Sequence, residues 1–213
     1  MSAEGLAVRI VGGPAVVLDR ANIDTDVIIN IKRCVTLQRG EYGPWALEAM
    51  RFLPDGTPDP ACPLNVPPGD TAKILIVGDN FGCGSSRELA VWALHERGIR
   101  VVIAPSFGDI FFGNCFENFL LPIRLPEAQH VRLAAEVKAR GEAVVDLQRS
   151  TITCGSLELA FEIDATRREM LLKGQRMIDF ILARRAEITA FEARVAAERP
   201  WLAQEFDRHI RQD

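Results

Sequence analysis

Apolar residues follow two different spacings along this chain. Through residue 165 they come in short blocks set off by glycine and proline; beyond that they recur at helical spacing. Short blocks between such breakers predict strands. Val8–Ile10 and Ala15–Leu18, joined by Gly12-Gly13-Pro14, predict two strands around a turn. Lys73–Val77 predicts a strand, Gly78–Gly84 a glycine-rich loop, and Ser86–Arg97 a helix stopped by Gly98, with Val101–Ala104 as the next strand. A β-loop-α-β unit of this kind implies parallel strands and a right-handed crossover. A short helix over Phe107–Phe116, a strand at Leu120–Ile123 and a helix over Pro126–Arg140 follow. Val144–Leu147, Thr151–Thr153 and Leu157–Phe161 predict a final antiparallel set. From Thr166 the chain reads as helical, with Ile178, Ile181, Leu182, Ile188, Phe191 and Val195 on one stripe. Pro200 breaks the pattern, and Trp201–Ile210 resumes it.

Residues 40–70 fit neither spacing. They carry seven prolines and predict a long irregular loop, functional or mobile, with a short helix at Trp45–Phe52. The 213 residues suit one domain of ordinary size, here 1–165, plus a helical extension, 166–213, packed on that domain or on a partner.

Composition narrows the function classes. The net charge of -4 gives no electrostatic footprint for nucleic acid. No apolar run reaches the roughly 18 residues of a membrane span, and the N-terminus lacks a signal-peptide pattern. A cytoplasmic protein is expected. The five cysteines, Cys34, Cys62, Cys83, Cys115 and Cys154, are scattered. No two form a C-x-x-C pair, so neither a zinc site nor a cluster motif within the chain is suggested. Only Cys83 has neighbours that single it out.

Those neighbours are Gly78-Asp79-Asn80-Phe81-Gly82-Cys83-Gly84-Ser85-Ser86-Arg87-Glu88. Glycines between a buried strand and a helix let the backbone turn sharply and approach a ligand. Free N–H groups at a helix start favour an anion, and Arg87 offers a planar fork for a carboxylate or phosphate. Two blander readings compete. Ser85-x-x-Glu88 has the spacing of a capping box. Gly82-x-Gly84 is two thirds of a dinucleotide fingerprint, with Arg87 where the third glycine belongs and no carboxylate ending the next strand at Ile103-Ala104-Pro105-Ser106. A nucleotide-binding module is therefore the alternative class.

Asp79–Glu88, DNFGCGSSRE, resembles the signature of isopropylmalate dehydratase small subunits and of the matching swivelling domain of aconitases. Asn22–Asp26 (NIDTD), residues 54–65 (PDGTPDPACPLN) and residues 103–123 (IAPSFGDIFFGNCFENFLLPI) resemble further segments of that family, in order. The resemblance implies an α/β fold: a three-layer β/β/α swivelling domain with a helical C-terminal tail. It implies half of a two-chain hydro-lyase that isomerises 2-isopropylmalate to 3-isopropylmalate in leucine biosynthesis. The partner would be a large subunit carrying a [4Fe–4S] cluster, with no cofactor or metal held by this chain. Residue by residue, it implies Ser85 as catalytic base, Arg87 and Ser86 as substrate contacts, and Asp26 as a catalytic aspartate. Gly84 and Arg33 complete the candidate substrate-binding set. Leu89, Asn30 and Phe119 depart from the family pattern, which leaves open another alkyl-malate or a homoaconitate-like acid.

The remaining polar residues have plainer readings. Asp24 and Asp26 have the spacing of a turn more than of a metal pair. His95 reads as a dipole partner at a helix C-terminus. Asp109 and Glu117 read as surface residues, and Lys32 with Arg33 as contacts for substrate or partner.

Overall fold

One nine-residue strand, β1 (Ile10–Leu18), replaces the two predicted around Gly12-Gly13-Pro14. The chain does not reverse there. It changes neighbours: Ile10–Pro14 pairs antiparallel with one strand, and Ala15–Leu18 pairs parallel with another. Gly13, at φ +133°, adopts a backbone conformation that side-chain-bearing residues rarely reach, and it lets the strand bend between its two partners. The structure is a computed structural model describing residues 7–202.

After β1 come three short helices, α1 (Thr25–Ile28), α2 (Ile31–Thr36) and α3 (Glu48–Arg51). The parallel region follows: β2 (Ile74–Val77), α4 (Leu89–Arg97), β3 (Val101–Ala104), α5 (Asp109–Glu117) and β4 (Leu121–Arg124). Then α6 (Glu127–Arg140) leads to an antiparallel set, β5 (Glu142–Asp146), β6 (Thr151–Cys154) and β7 (Leu157–Ala160). The sheet order is β4-β3-β2-β1-β5-β6-β7.

Successive residues of the parallel strands point into two different cores. Ile74, Ile76, Val101, Ile103, Leu121 and Ile123 share one apolar cluster with Ala143, Val145, Ile152 and Leu159 of the antiparallel strands. Leu75, Val77, Val102 and Ala104 pack with Ile28, Val91, Leu94 and Phe111 of the helices. The two halves of the sheet therefore face each other, and helices cover the outer face of the parallel half. This is the β/β/α layering expected. Strands buried on both faces read as unbroken apolar runs, which is why β2 and β3 were legible. Each such side chain contributes roughly 1.5–3 kcal/mol through burial.

Residues 40–70 do more than loop. They bury Tyr42, Ala46, Leu47, Cys62 and Leu64 in the helical-face core, where a long irregular loop was expected. α7 (Ala165–Lys173) likewise buries Met170 and Leu171. The chain divides into two compact units after that helix, Met1–Arg176 and Met177–Asp213, so the extension drawn from residue 166 reduces to the residues beyond Arg176. In the second unit α8 (Met177–Leu182) and α9 (Arg185–Glu198) carry the predicted stripe, yet neither contains a buried residue. Most of the predicted helix at Trp201–Ile210 lies outside the described residues.

Candidate active site

The parallel strands all end on one side of the sheet, and the loops leaving them continue side by side. Gly78 N–H donates to Arg20 O (3.2 Å), Asn22 N–H to Asp79 O (2.8 Å), Gly82 N–H to Ile23 O (2.8 Å) and Thr25 N–H to Cys83 O (3.0 Å). The NIDTD segment after β1 is thus laced to the glycine loop after β2. The loop after β3 joins from the other side: Phe81 N–H donates to Ser106 O (3.2 Å) and Gly108 N–H to Phe81 O (2.9 Å). Ser106 Oγ donates to Asp79 and accepts from Asn80 N–H. Asn22 and Asn80 both take left-handed backbone (φ 55° each), a region that asparagine tolerates, and their side chains bond each other at 2.8 Å. Ligand sites in open α/β sheets form at this end of the strands.

An aromatic floor supports the loops. The Phe81 ring meets Phe107 and Phe111 edge-on, at centroid distances of 6.3 and 5.3 Å. Gly82 crosses directly over this floor, where a Cβ would run into the Phe111 ring. Its glycine is a packing requirement of the loop.

Two pairs of side chains stand on this frame. Asp24 caps α1, accepting from Val27 N–H at 2.8 Å, so it is a turn residue and not half of a metal pair. The next two residues each reach across to the glycine loop. Thr25 Oγ1 lies 2.6 Å from Ser85 Oγ and accepts from Ser85 N–H at 3.2 Å. Asp26 accepts from Arg87 Nη1 in an ion pair. The structure therefore brings together Ser85, Arg87 and Asp26, and adds Thr25, which the sequence reading did not single out. Gly84 and Ser86 are exposed beside them. Side-chain exposure is 24% for Arg87 and 55% for Asp26, so the pair borders the open surface.

The capping box is not formed. Helix α4 begins at Leu89, three residues later than predicted, and Glu88 is its N-cap without a side-chain cap bond. The Glu88 carboxylate is engaged by Asn118 Nδ2 at 2.7 Å, and Asn118 Oδ1 accepts from Trp92 Nε1 at 2.8 Å. Ser85 is thus free of the capping role, and Ser85–Arg87 form a loop ahead of the helix. Arg33 is engaged elsewhere: its Nε donates to Glu48 at 3.0 Å, and its guanidinium lies 3.3 Å above the centre of the Trp45 ring. Neither partner belongs to the Ser85–Arg87 group. Lys32 is exposed.

The glycine loop offers only part of a pyrophosphate cradle, which needs free loop N–H groups: those of Asn80, Phe81, Gly82 and Ser85 are already taken by Ser106, Ile23 and Thr25.

The cysteines do not gather. Cys62, Cys115 and Cys154 are buried, and Cys34 and Cys83 half-buried. Burial pushes the Cys34 thiol above its ordinary pKa despite the nearby Arg87, which disfavours a reactive thiolate. Cys83 contributes its backbone carbonyl to the loop ladder. Among the described residues no group of three or more His, Cys, Asp or Glu is placed to hold a metal ion, so these residues do not fit an iron–sulfur cluster. His95, in the last turn of α4, is not a cationic dipole partner. Burial, with Arg100 and Arg39 nearby, lowers its pKa to about 4, which leaves it neutral near pH 7. Asp109 is fully exposed, as expected.

Known proteins similar to this chain are dehydratase subunits. The family model of the aconitase C-terminal domain matches residues 10–128. The chain is 45% identical over 186 residues to the 3-isopropylmalate dehydratase small subunit of Shouchella clausii, covering 87% of this chain and 94% of that one. It is 48% identical to the subunit of the same name from Gluconacetobacter diazotrophicus, covering 86% and 90%. The crystal structure of a 3-isopropylmalate dehydratase from Methanocaldococcus jannaschii superposes with a TM-score of 0.62 at 27% identity, covering 86% of this chain and 99% of that one. The chain belongs to the aconitase C-terminal domain family, and within it to the small subunits of 3-isopropylmalate dehydratase.

Proposed function

We propose that this chain is the small subunit of a two-chain hydro-lyase that isomerises 2-isopropylmalate to 3-isopropylmalate; relatives named 3-isopropylmalate dehydratase small subunit support the reading. The observation that carries the reading is the pairing of Thr25 with Ser85 and of Asp26 with Arg87 across the laced loops. It sets a hydroxyl and a guanidinium two residues apart on an exposed face. Dehydration removes a hydroxyl from one carbon and a proton from its neighbour; rehydration returns them exchanged. In this reading Arg87 holds a substrate carboxylate through its planar fork. Asp26 orients that fork, and Gly84 and Ser86 line the approach. Ser85 removes the proton in the first half and returns it in the second. An unperturbed serine is too weak an acid for this task at neutral pH, so the local field of Arg87 must favour its deprotonated form.

The [4Fe–4S] cluster implied by the resemblance is assigned to the large subunit, and departure of the hydroxyl falls to groups on that chain. A cytoplasmic location is part of this reading, and the five free cysteines, which stay reduced in that compartment, support it. Among the described residues no helix is long and apolar enough to cross a membrane.

A second substrate reading rests on the departures from the family pattern. Asn30, one of them, accepts from Lys32 N–H at 2.9 Å and caps α2, the helix that follows α1. The second reading is another alkyl-malate. The test is reconstitution with a large subunit. The chain alone is expected to be inactive and the pair active. Specificity constants for 2-isopropylmalate and for malates with other alkyl groups then rank the two substrates. Activity of the isolated chain, or none in any pairing, would contradict the proposal.

A further inference from the structure

We infer that Thr25 is a positioning residue for the base, donating its hydroxyl proton to Ser85 Oγ. This rests on the reading of Ser85 as the base. A hydroxyl has one proton and two lone pairs. At Thr25 Oγ1 one lone pair is taken by the Ser85 N–H, which can only donate. The side chain is 1% exposed, so water does not serve its proton. Among the described residues the one acceptor within reach of that proton is Ser85 Oγ, 2.6 Å away. The opposite polarity, Ser85 donating to Thr25, would leave a buried hydroxyl proton without an acceptor, which is disfavoured.

The polarity matters for the chemistry. With Thr25 as donor, the proton of the half-buried Ser85 is directed away from Thr25; water takes it before the substrate proton is removed, and the oxygen left behind already accepts a hydrogen bond. A bond to the charged form stabilises that form. When the substrate C–H bond breaks, Ser85 Oγ gains the proton; in rehydration it gives the proton back. The proton of Thr25 stays on Thr25 throughout. The reciprocal bond from Ser85 N–H fixes the serine backbone against the same hydroxyl, so one buried side chain sets both the position and the charge preference of the base. Thr25 and Asp26 are adjacent in α1 and serve Ser85 and Arg87 respectively. A single turn of helix thereby aligns the proton-transfer group with the carboxylate-binding group.

The test uses the assembled two-chain enzyme. Thr25→Val keeps the branched shape and removes both bonds; Thr25→Ser keeps the hydroxyl. Thr25→Val should lower kcat by roughly 10²-fold, because without a hydrogen bond to its charged form less Ser85 is held deprotonated, with KM little changed because Arg87 is untouched. Thr25→Ser should restore most of the rate. In a Ser85→Ala background Thr25→Val should cost nothing further, because its effect passes through the serine. Thr25→Ala is a second hydroxyl-free variant, read in the same way should Thr25→Val fail to assemble. A normal kcat in the hydroxyl-free variants, equal losses in Thr25→Val and Thr25→Ser, or full additivity with Ser85→Ala would each overturn the inference. If Ser85→Ala alone turns over normally, the reading of Ser85 as base fails first. If Ser85→Ala collapses while Thr25→Val is normal, only the role of Thr25 is lost.

Discussion

Residues 40–70 and the helices beyond Arg176 contradict their own compositions in opposite directions. The first stretch is rich in proline and reads as irregular, yet it buries Leu47 and Leu64 to 1% exposure or less. The second has the apolar stripe of a packed helix, yet Ile178, Leu182 and Phe191 are each more than half exposed. The first stretch is held by polar anchors. Backbone groups of 40–70 are held by side chains from elsewhere: the Glu96 carboxylate accepts from the N–H groups of Gly40, Tyr42 and Gly43. The Arg51 guanidinium donates to Pro44 O, Ala46 O and Asn65 Oδ1. Apolar spacing alone does not show what is buried, and a stretch without regular structure is buried once its backbone groups have partners.

Removing an anchor should break the first region most. Arg51→Ala leaves three acceptors without their donor and is expected to cost about 3 kcal/mol, read as a lower midpoint in urea. Lysine at that position should recover only part, because it lacks the fork that reaches three acceptors. A midpoint unchanged by Arg51→Ala would refute the anchoring account.

A smaller effect should come from His95, next to the Glu96 anchor. Its folded pKa of about 4 lies below its ordinary 6.5. The unfolded chain therefore binds a proton that the fold refuses, and stability should fall as pH drops from about 6.5 towards 4. His95→Gln should flatten that part of the pH–stability curve. An identical slope in the variant would remove His95 as its source.

The smallest effect is expected from the second region. Phe191→Ala should change the unfolding free energy by no more than about 0.5 kcal/mol, since the ring is more than half exposed. A loss of several times that would show that the stripe is packed after all.

The same lesson separates what was legible at the site from what was not. The glycine loop could be read because its constraints are local. Gly82 has no room for a side chain, and β2 before it is buried on both faces. The start of α4 was misread because Ser85-x-x-Glu88 satisfies a local rule, while Asn118, thirty residues away, takes the Glu88 carboxylate. Arg33 reads as a substrate contact because a cation near a motif invites that role; Trp45 and Glu48, which engage it, lie in the short helix expected within the irregular stretch. Thr25 went unnoticed because a threonine between two aspartates looks like turn filler. Its partner is sixty residues along the chain, and only the parallel pairing of β1 with β2 brings the two loops together.

The central claim is that Ser85 performs the proton transfer, and Ser85→Ala in the assembled enzyme tests it most directly. Capping does not confuse the result, because Ser85 caps nothing in this structure. Turnover at saturating substrate should fall by about 10³-fold or more, some 4 kcal/mol of transition-state stabilisation, while folding and association with the large subunit are retained. A Ser85→Ala enzyme that assembles and turns over at close to the wild-type rate would contradict the account and move the search for the base to Asp26 or to the large subunit.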